Sequence, residues 1–158
     1  MRLYLGPRIA NSSDVCAVTQ MKDEEYIVHP IGSIRSTIKR RADAPKQGRE
    51  GAPDAWLEVH PDVAAALDGI DLGDEIIVIA WLHASDRTRL RVYPRGDPAN
   101  PMAGVFATRS PDRPNPLGLH RVKVLEIGAN RLRVGPIEAI DGTPVVDIKP
   151  VLDCWADY

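Results

Sequence analysis

Residues 120–140, HRVKVLEIGANRLRVGPIEAI, alternate apolar and polar side chains on both sides of Gly128-Ala129-Asn130. A period of two marks a strand with one buried face, and a Gly- and Asn-containing break between two such runs marks a hairpin turn. The same reading extends outward in both directions. Towards the C-terminus, Asp141-Gly142-Thr143-Pro144 forms a turn before a last strand, VVDIKPVL, at 145–152. Towards the N-terminus, Gly73-Asp74 introduces EIIVIAWLH at 75–83, a β-branched run expected to be a strand buried on both faces. The segment RLRVYP, 89–94, alternates as a half-buried strand and is expected to pair with that run across Ala84–Thr88. Farther upstream, YIVHPIGSIRS at 26–36 reads as one strand interrupted by Pro30 and Gly32. His60-Pro61-Asp62 starts a short helix, VAAALDG, which Gly69 ends.

Six or seven short strands with one short helix make the chain mainly β, a compact barrel or sandwich. The chain contains no GxGxxG, so a nucleotide-containing cofactor has to be bound by some architecture other than a strand, glycine turn and helix. With 158 residues, 44% of them hydrophobic, one core is expected, carried by residues 26–158. Residues 1–25, ending in the charged run Lys22–Glu25, are expected to be an extension that contributes at most one strand. Among the aromatics, Trp81 is assigned to the core, and Trp56, Trp81 and Trp155 form no repeated stacking platform.

The formal net charge of -2 argues against a polyanion binder held by a large positive field, so nucleic acid has to meet a local patch. The densest positive charge lies at 37–53, TIKRRADAPKQGREGAP, an exposed loop in which Lys39, Arg40, Arg41, Lys46 and Arg49 can face phosphates. Cys16 and Cys154 have neither CxxC spacing nor a nearby His, which predicts no metal site. No signal-peptide core and no membrane-length apolar run occurs, and a cytoplasmic protein without membrane association is expected.

The stretch 104–122, GVFATRSPDRPNPLGLHRV, is the candidate functional centre. Pro111, Pro114 and Pro116 fix the backbone around them, so the loop is stiff and loses little entropy on binding. It presents Arg109 and Arg113, planar forks suited to a carboxylate, a phosphate or a stacked ring. Asn115 adds a donor and an acceptor between two prolines.

This stretch resembles the signature of the TrmO, or TsaA-like, family of S-adenosylmethionine-dependent tRNA methyltransferases. Supporting pieces stand in the family's order: IGSIRS at 31–36, PKQ at 45–47, WLH at 81–83 and IDGTPVVDIKP at 140–150. The resemblance implies a small TsaA-like β-barrel with one or two short helices and long loops, which binds S-adenosyl-L-methionine at a homodimer interface. By motif, the implied cofactor-binding residues are Pro45, Lys46, Gln47, His83, Ala84, Arg109, Leu119, Ile140, Asp141, Gly142 and Thr143. Lys46 departs from the family's usual Arg, keeping the charge and losing the planar fork.

The implied reaction methylates N6 of threonylcarbamoyladenosine at position 37 of tRNA and requires no metal. Longer family members carry a further C-terminal domain, so the acceptor is less closely fixed than the cofactor. The alternatives are a methyltransferase of the same fold acting on a small metabolite and a non-catalytic S-adenosylmethionine-binding module. Arg113, Asn115 and Asp147 are the candidate catalytic residues. Asp147, Asp141 or His83 could accept the proton that the amine loses. Asp147 could equally pair with Lys149, and Asp141 could serve only to shape its turn. His29, His60 and His120 are assigned no chemistry.

Overall fold

The structure is a computed structural model that describes residues 2–3 and 26–152. Its strands, in chain order, are β1 (Arg2–Leu3), β2 (Tyr26–Ile27), β3 (Gly32–Arg35), β4 (Ala55–Val59), β5 (Glu75–Trp81), β6 (Arg91–Val92), β7 (Ala103–Gly104), β8 (Leu117–Ile127), β9 (Arg131–Gly135) and β10 (Thr143–Pro150). Six of them close a barrel in the order β10-β3-β4-β9-β8-β5, every neighbour antiparallel. Closure leaves the barrel without a free sheet edge, so its backbone donors and acceptors are spent inside it.

The hairpin read first from the sequence is β8 and β9, with Val124 opposite Val134 and a bulge between Val124 and Glu126. Alternation then fills the interior. Ile34, Leu57, Ile76, Val78, Val122, Val124, Leu132, Val134 and Val145 are all buried in one cluster. Each such side chain contributes roughly 1.5–3 kcal/mol when fully buried, so most of the stability resides in the barrel, to whose core Ile137 and Ala139 of the connection after β9 also belong.

Four expectations are corrected. β5 is not buried on both faces: Ile76, Val78 and Ala80 point inward, and Ile77, Ile79 and Trp81 lie half-buried outside. Trp81 is therefore not a core residue, and the Arg87 guanidinium sits 5.2 Å from its ring centroid. The segment 89–94 does not pair with β5, because β8 and β10 already flank β5 on both sides. Its residues Arg91–Val92 pair with Ala103–Gly104 in a separate two-stranded arm. Residues 26–36 are two separate strands rather than one interrupted strand, β2 pairing with β1 and β3 entering the barrel.

The short helix read from VAAALDG is a 3-10 helix over Pro61–Leu67. The charged run Lys22–Glu25, Cys16, Cys154 and Trp155 lie outside the described residues. Among the described residues no helix is long and apolar enough to cross a membrane.

Antiparallel closure decides where loops can meet. β3, β5 and β9 end, and β4, β8 and β10 begin, at one end of the barrel. The connections 36–54, 82–116 and 136–142 consequently converge there.

Candidate functional site

Every candidate residue except Asp147 lies on one of these three connections or at the strand end that joins it. Proline supplies the local reason in the longest connection, since Pro111, Pro114 and Pro116 hold residues 109–116 in one path. Arg113 locks that path. Its Nε donates to the Ser110 carbonyl at 2.9 Å, and its Nη2 donates to the carbonyls of Val105 at 2.9 Å and Thr108 at 2.5 Å. The guanidinium is thus engaged within its own loop. Arg87 adds a further strut, donating from Nε to the Pro114 carbonyl at 3.0 Å.

The first and second connections are joined by a fork. Arg41 donates from both Nη atoms to the two carboxylate oxygens of Asp112, at 2.7 and 2.6 Å. Asp112 also accepts the Asp86 backbone N–H at 2.8 Å. The Arg41 hydrogen bonds, reinforced by the Asp86 amide, hold the Asp112 carboxyl below its ordinary pKa against the opposing effect of burial. A carboxyl depressed in the folded state stabilises the fold above its unfolded pKa of about 4, and that contribution is lost as pH falls through the folded value. Asp112→Asn should therefore cost about 1 kcal/mol or less near neutral pH, since Arg41 is half exposed and the pair is screened by solvent. Urea unfolding at pH 7 and at pH 3 checks this: the difference between wild type and variant should shrink at the lower pH.

The third connection is tied to the first by Asp141. Its carboxylate accepts the Ser36 N–H at 3.0 Å and the Lys39 ammonium at 2.8 Å, and these contacts, Lys39 first, lower its pKa. Its own N–H donates to Ile38, and the Gly142 N–H donates to Ile34, each at 2.8 Å. Gly142 has φ of +76°, a conformation that a side chain would strain, so the turn requires glycine. Thr143 is buried and donates its hydroxyl to the Ile140 carbonyl at 2.7 Å. A cleft of about 490 Å³ opens beside this turn, lined among others by Arg35, Thr37, Lys39, Trp56 and Asp141.

Several candidates are left facing outward. His83, Ala84, Arg109, Asn115 and Leu119 are exposed, and among the described residues the side chains of His83, Arg109 and Asn115 make no hydrogen bond or ion pair. Apolar surface accompanies them, with Phe106 82%, Leu119 53% and Leu117 40% exposed. Pro45 and Gln47 are half-buried, and Lys46 donates to the Arg95 carbonyl, docking the PKQ turn against the arm formed by β6 and β7.

Asp147 is not brought to this cluster. It lies past a bulge in β10, pairs with Lys149 at 2.9 Å, and lines a cleft of about 600 Å³ at the other end of the barrel with Leu67, Ile70 and Asp74. Of the basic patch, Lys39 pairs with Asp141, Arg40 with Asp43 and Arg41 with Asp112, which leaves Arg49 as its arginine without a partner among the described residues. The sequence reading missed the Arg41–Asp112 fork, for which a separation of 71 positions gives no local signal. It also passed over His120, although His120 shares parity with Val122 and Val124 and that alternation places it inside the barrel.

The fold and the loop cluster define a class: a closed, six-stranded antiparallel barrel with a proline-stiffened loop over one end, the fold of TrmO. The crystal structure of TrmO from Pseudomonas aeruginosa superposes with a TM-score of 0.65 and 32% identity, covering 84% of this chain and 60% of that one. The model of the tRNA-methyltransferase O N-terminal domain matches residues 33–156, and the chain belongs to that family. Similar proteins include a probable S-adenosyl-L-methionine-binding protein of Methanothermobacter thermautotrophicus, 46% identical over 82% of this chain and 93% of the relative. An S-adenosyl-L-methionine-binding protein of Archaeoglobus fulgidus is 43% identical over 81% of this chain and 93% of the relative. The chain spans about three fifths of the length of the TrmO structure it matches.

Proposed function

We propose that the protein is an S-adenosylmethionine-dependent methyltransferase that methylates N6 of threonylcarbamoyladenosine at position 37 of tRNA, in the cytoplasm. The observation that carries this reading is the TrmO-type barrel, with the stretch 104–119 that resembles the family's signature over one end and Arg109, Asn115 and His83 exposed beside it. The donor set suits the cofactor. An unpaired guanidinium at Arg109 meets a carboxylate, exposed Leu117 and Leu119 offer apolar surface to an adenine face, and the Pro45–Gln47 turn offers backbone groups. When bound, S-adenosylmethionine supplies an electrophilic methyl group on a sulfonium, and alignment with exclusion of water can provide much of the acceleration.

What the chain contributes is position. The Arg113 and Arg41–Asp112 contacts fix the loop, and Asn115 and His83 remain free to hold the acceptor or take its proton. The site is open on its outer side, and the apolar surface of Phe106, Leu117 and Leu119 suits closure by a second copy of the chain. Arg49, with the already paired Arg40 and Arg41, supplies the local positive charge for a tRNA stem or loop.

The test is mass spectrometry of tRNA nucleosides from cells with and without the gene. Loss of methylated threonylcarbamoyladenosine on deletion supports the reading, and an unchanged level overturns the tRNA assignment. Transfer of labelled methyl groups into a small-molecule extract, with none into tRNA, would move the acceptor to a metabolite.

A further inference from the structure

His120 is buried inside the barrel at the loop end, on the strand that leaves the signature. Its Nδ1 lies 3.2 Å from the Glu138 Oε1, within ion-pair reach but off the line of a good hydrogen bond, and its Nε2 has no partner. A buried polar atom without a partner is costly, so a sequence that keeps one there calls for a reason. The surroundings supply it.

The imidazole rests on the backbone of Gly118: a Cβ at that position would stand 2.7 Å from Nε2. On the other side, a Cβ at Gly48 would stand 3.2 Å from Glu138 Oε2 and 2.8 Å from the Pro136 carbonyl. The two partners are therefore wedged between two bare stretches of backbone. Gly118 immediately precedes Leu119, and Gly48 immediately follows Gln47. Although burial pushes the Glu138 pKa up, His120 and the nearby Gly48 amide hold it below the ordinary value. It is thus a charged group in contact with both sides.

We propose that the His120–Glu138 pair is a positioning device that sets the separation between the Pro45–Gln47 turn and the start of β8, and thereby the width of the cofactor site between them. The inference rests on the S-adenosylmethionine reading above. Neither residue touches the cofactor; each acts through the residue beside it. Removing the carboxylate charge weakens its hold on the imidazole and on the adjacent Gly48 backbone, and removing the imidazole leaves a half-buried carboxylate without its partner, so both changes loosen the same spacing.

Calorimetry on the full chain with S-adenosylmethionine and S-adenosylhomocysteine tests it, alongside steady-state kinetics. Glu138→Gln is expected to raise both dissociation constants about 10-fold or more, and KM for the cofactor in step, with kcat at saturating cofactor within about threefold of wild type. His120→Leu should behave the same way. His120→Asn, whose amide N–H can stand where Nδ1–H stood, should keep affinity within about threefold of wild type. Should Glu138→Gln fail to fold, the contrast between His120→Asn and His120→Leu decides alone. Wild-type affinity in the folded Leu variant, or equal loss in Leu and Asn, overturns the positioning role. A wild-type chain that binds neither ligand overturns the methyltransferase reading itself, and this inference with it.

Discussion

Arg109→Ala is expected to raise the dissociation constant for S-adenosylmethionine by roughly 10–100-fold and to leave thermal unfolding of the barrel unchanged. The two halves of this expectation rest on the same fact. Arg109 is exposed and makes no hydrogen bond or ion pair among the described residues, so its removal deletes no contact that the fold uses. Its neighbours are all committed: Arg113 to three carbonyls, Asp112 to Arg41, and Arg87 to Pro114. A loop held this firmly around one unpaired cation presents that cation at low entropic cost to an anionic group, and a carboxylate is the anion S-adenosylmethionine carries. Arg109→Lys should recover part of the affinity, since the charge returns without the fork. Titration calorimetry of the three proteins, with unfolding curves for each, checks the result. Unchanged affinity in the alanine variant would remove Arg109 from the site.

The sequence made some levels of this structure legible and left others closed, for physical reasons. Alternation around Gly128-Ala129-Asn130 identified β8, β9 and their turn because period two and a turn are both local. Alternation says which face a residue occupies, not which strand lies beside it. Alternation alone therefore pairs residues 89–94 with β5, whose edges β8 and β10 already occupy. The β-branched run of β5 hid a second limit, for Ile77 and Ile79 are as apolar as Ile76 and Val78 and yet lie on the outer face. The cofactor motifs were legible as motifs, and the structure adds that antiparallel closure gathers their three connections at one end. Asp147 shows the converse. It is four residues from Thr143, but a strand advances about 3.3 Å per residue, which carries it towards the other end of the barrel.

Arg113→Ala should abolish turnover, lowering it by about 100-fold or more, while the barrel still unfolds cooperatively within a few degrees of the wild-type midpoint. Sequence alone offered Arg113 as a catalytic charge, and its geometry favours a brace. Three carbonyls, of Val105, Thr108 and Ser110, converge on one guanidinium, an arrangement that turns the chain at the head of the signature and leaves few donors for a substrate. The roles separate under substitution by lysine. A catalytic positive charge would survive Arg113→Lys in large part, because the ammonium keeps the charge near the same place. A brace would not, since a point charge cannot span three carbonyls in the plane of a fork. Arg113→Lys is accordingly expected to be nearly as inactive as Arg113→Ala, with faster amide hydrogen exchange confined to residues 105–119 in both. Substantial activity in the lysine variant, with exchange as slow as in wild type, would return Arg113 to the chemistry. The brace explains why Arg109 and Arg113, four residues apart on one stiff loop, do opposite things: one is consumed so that the other can be presented.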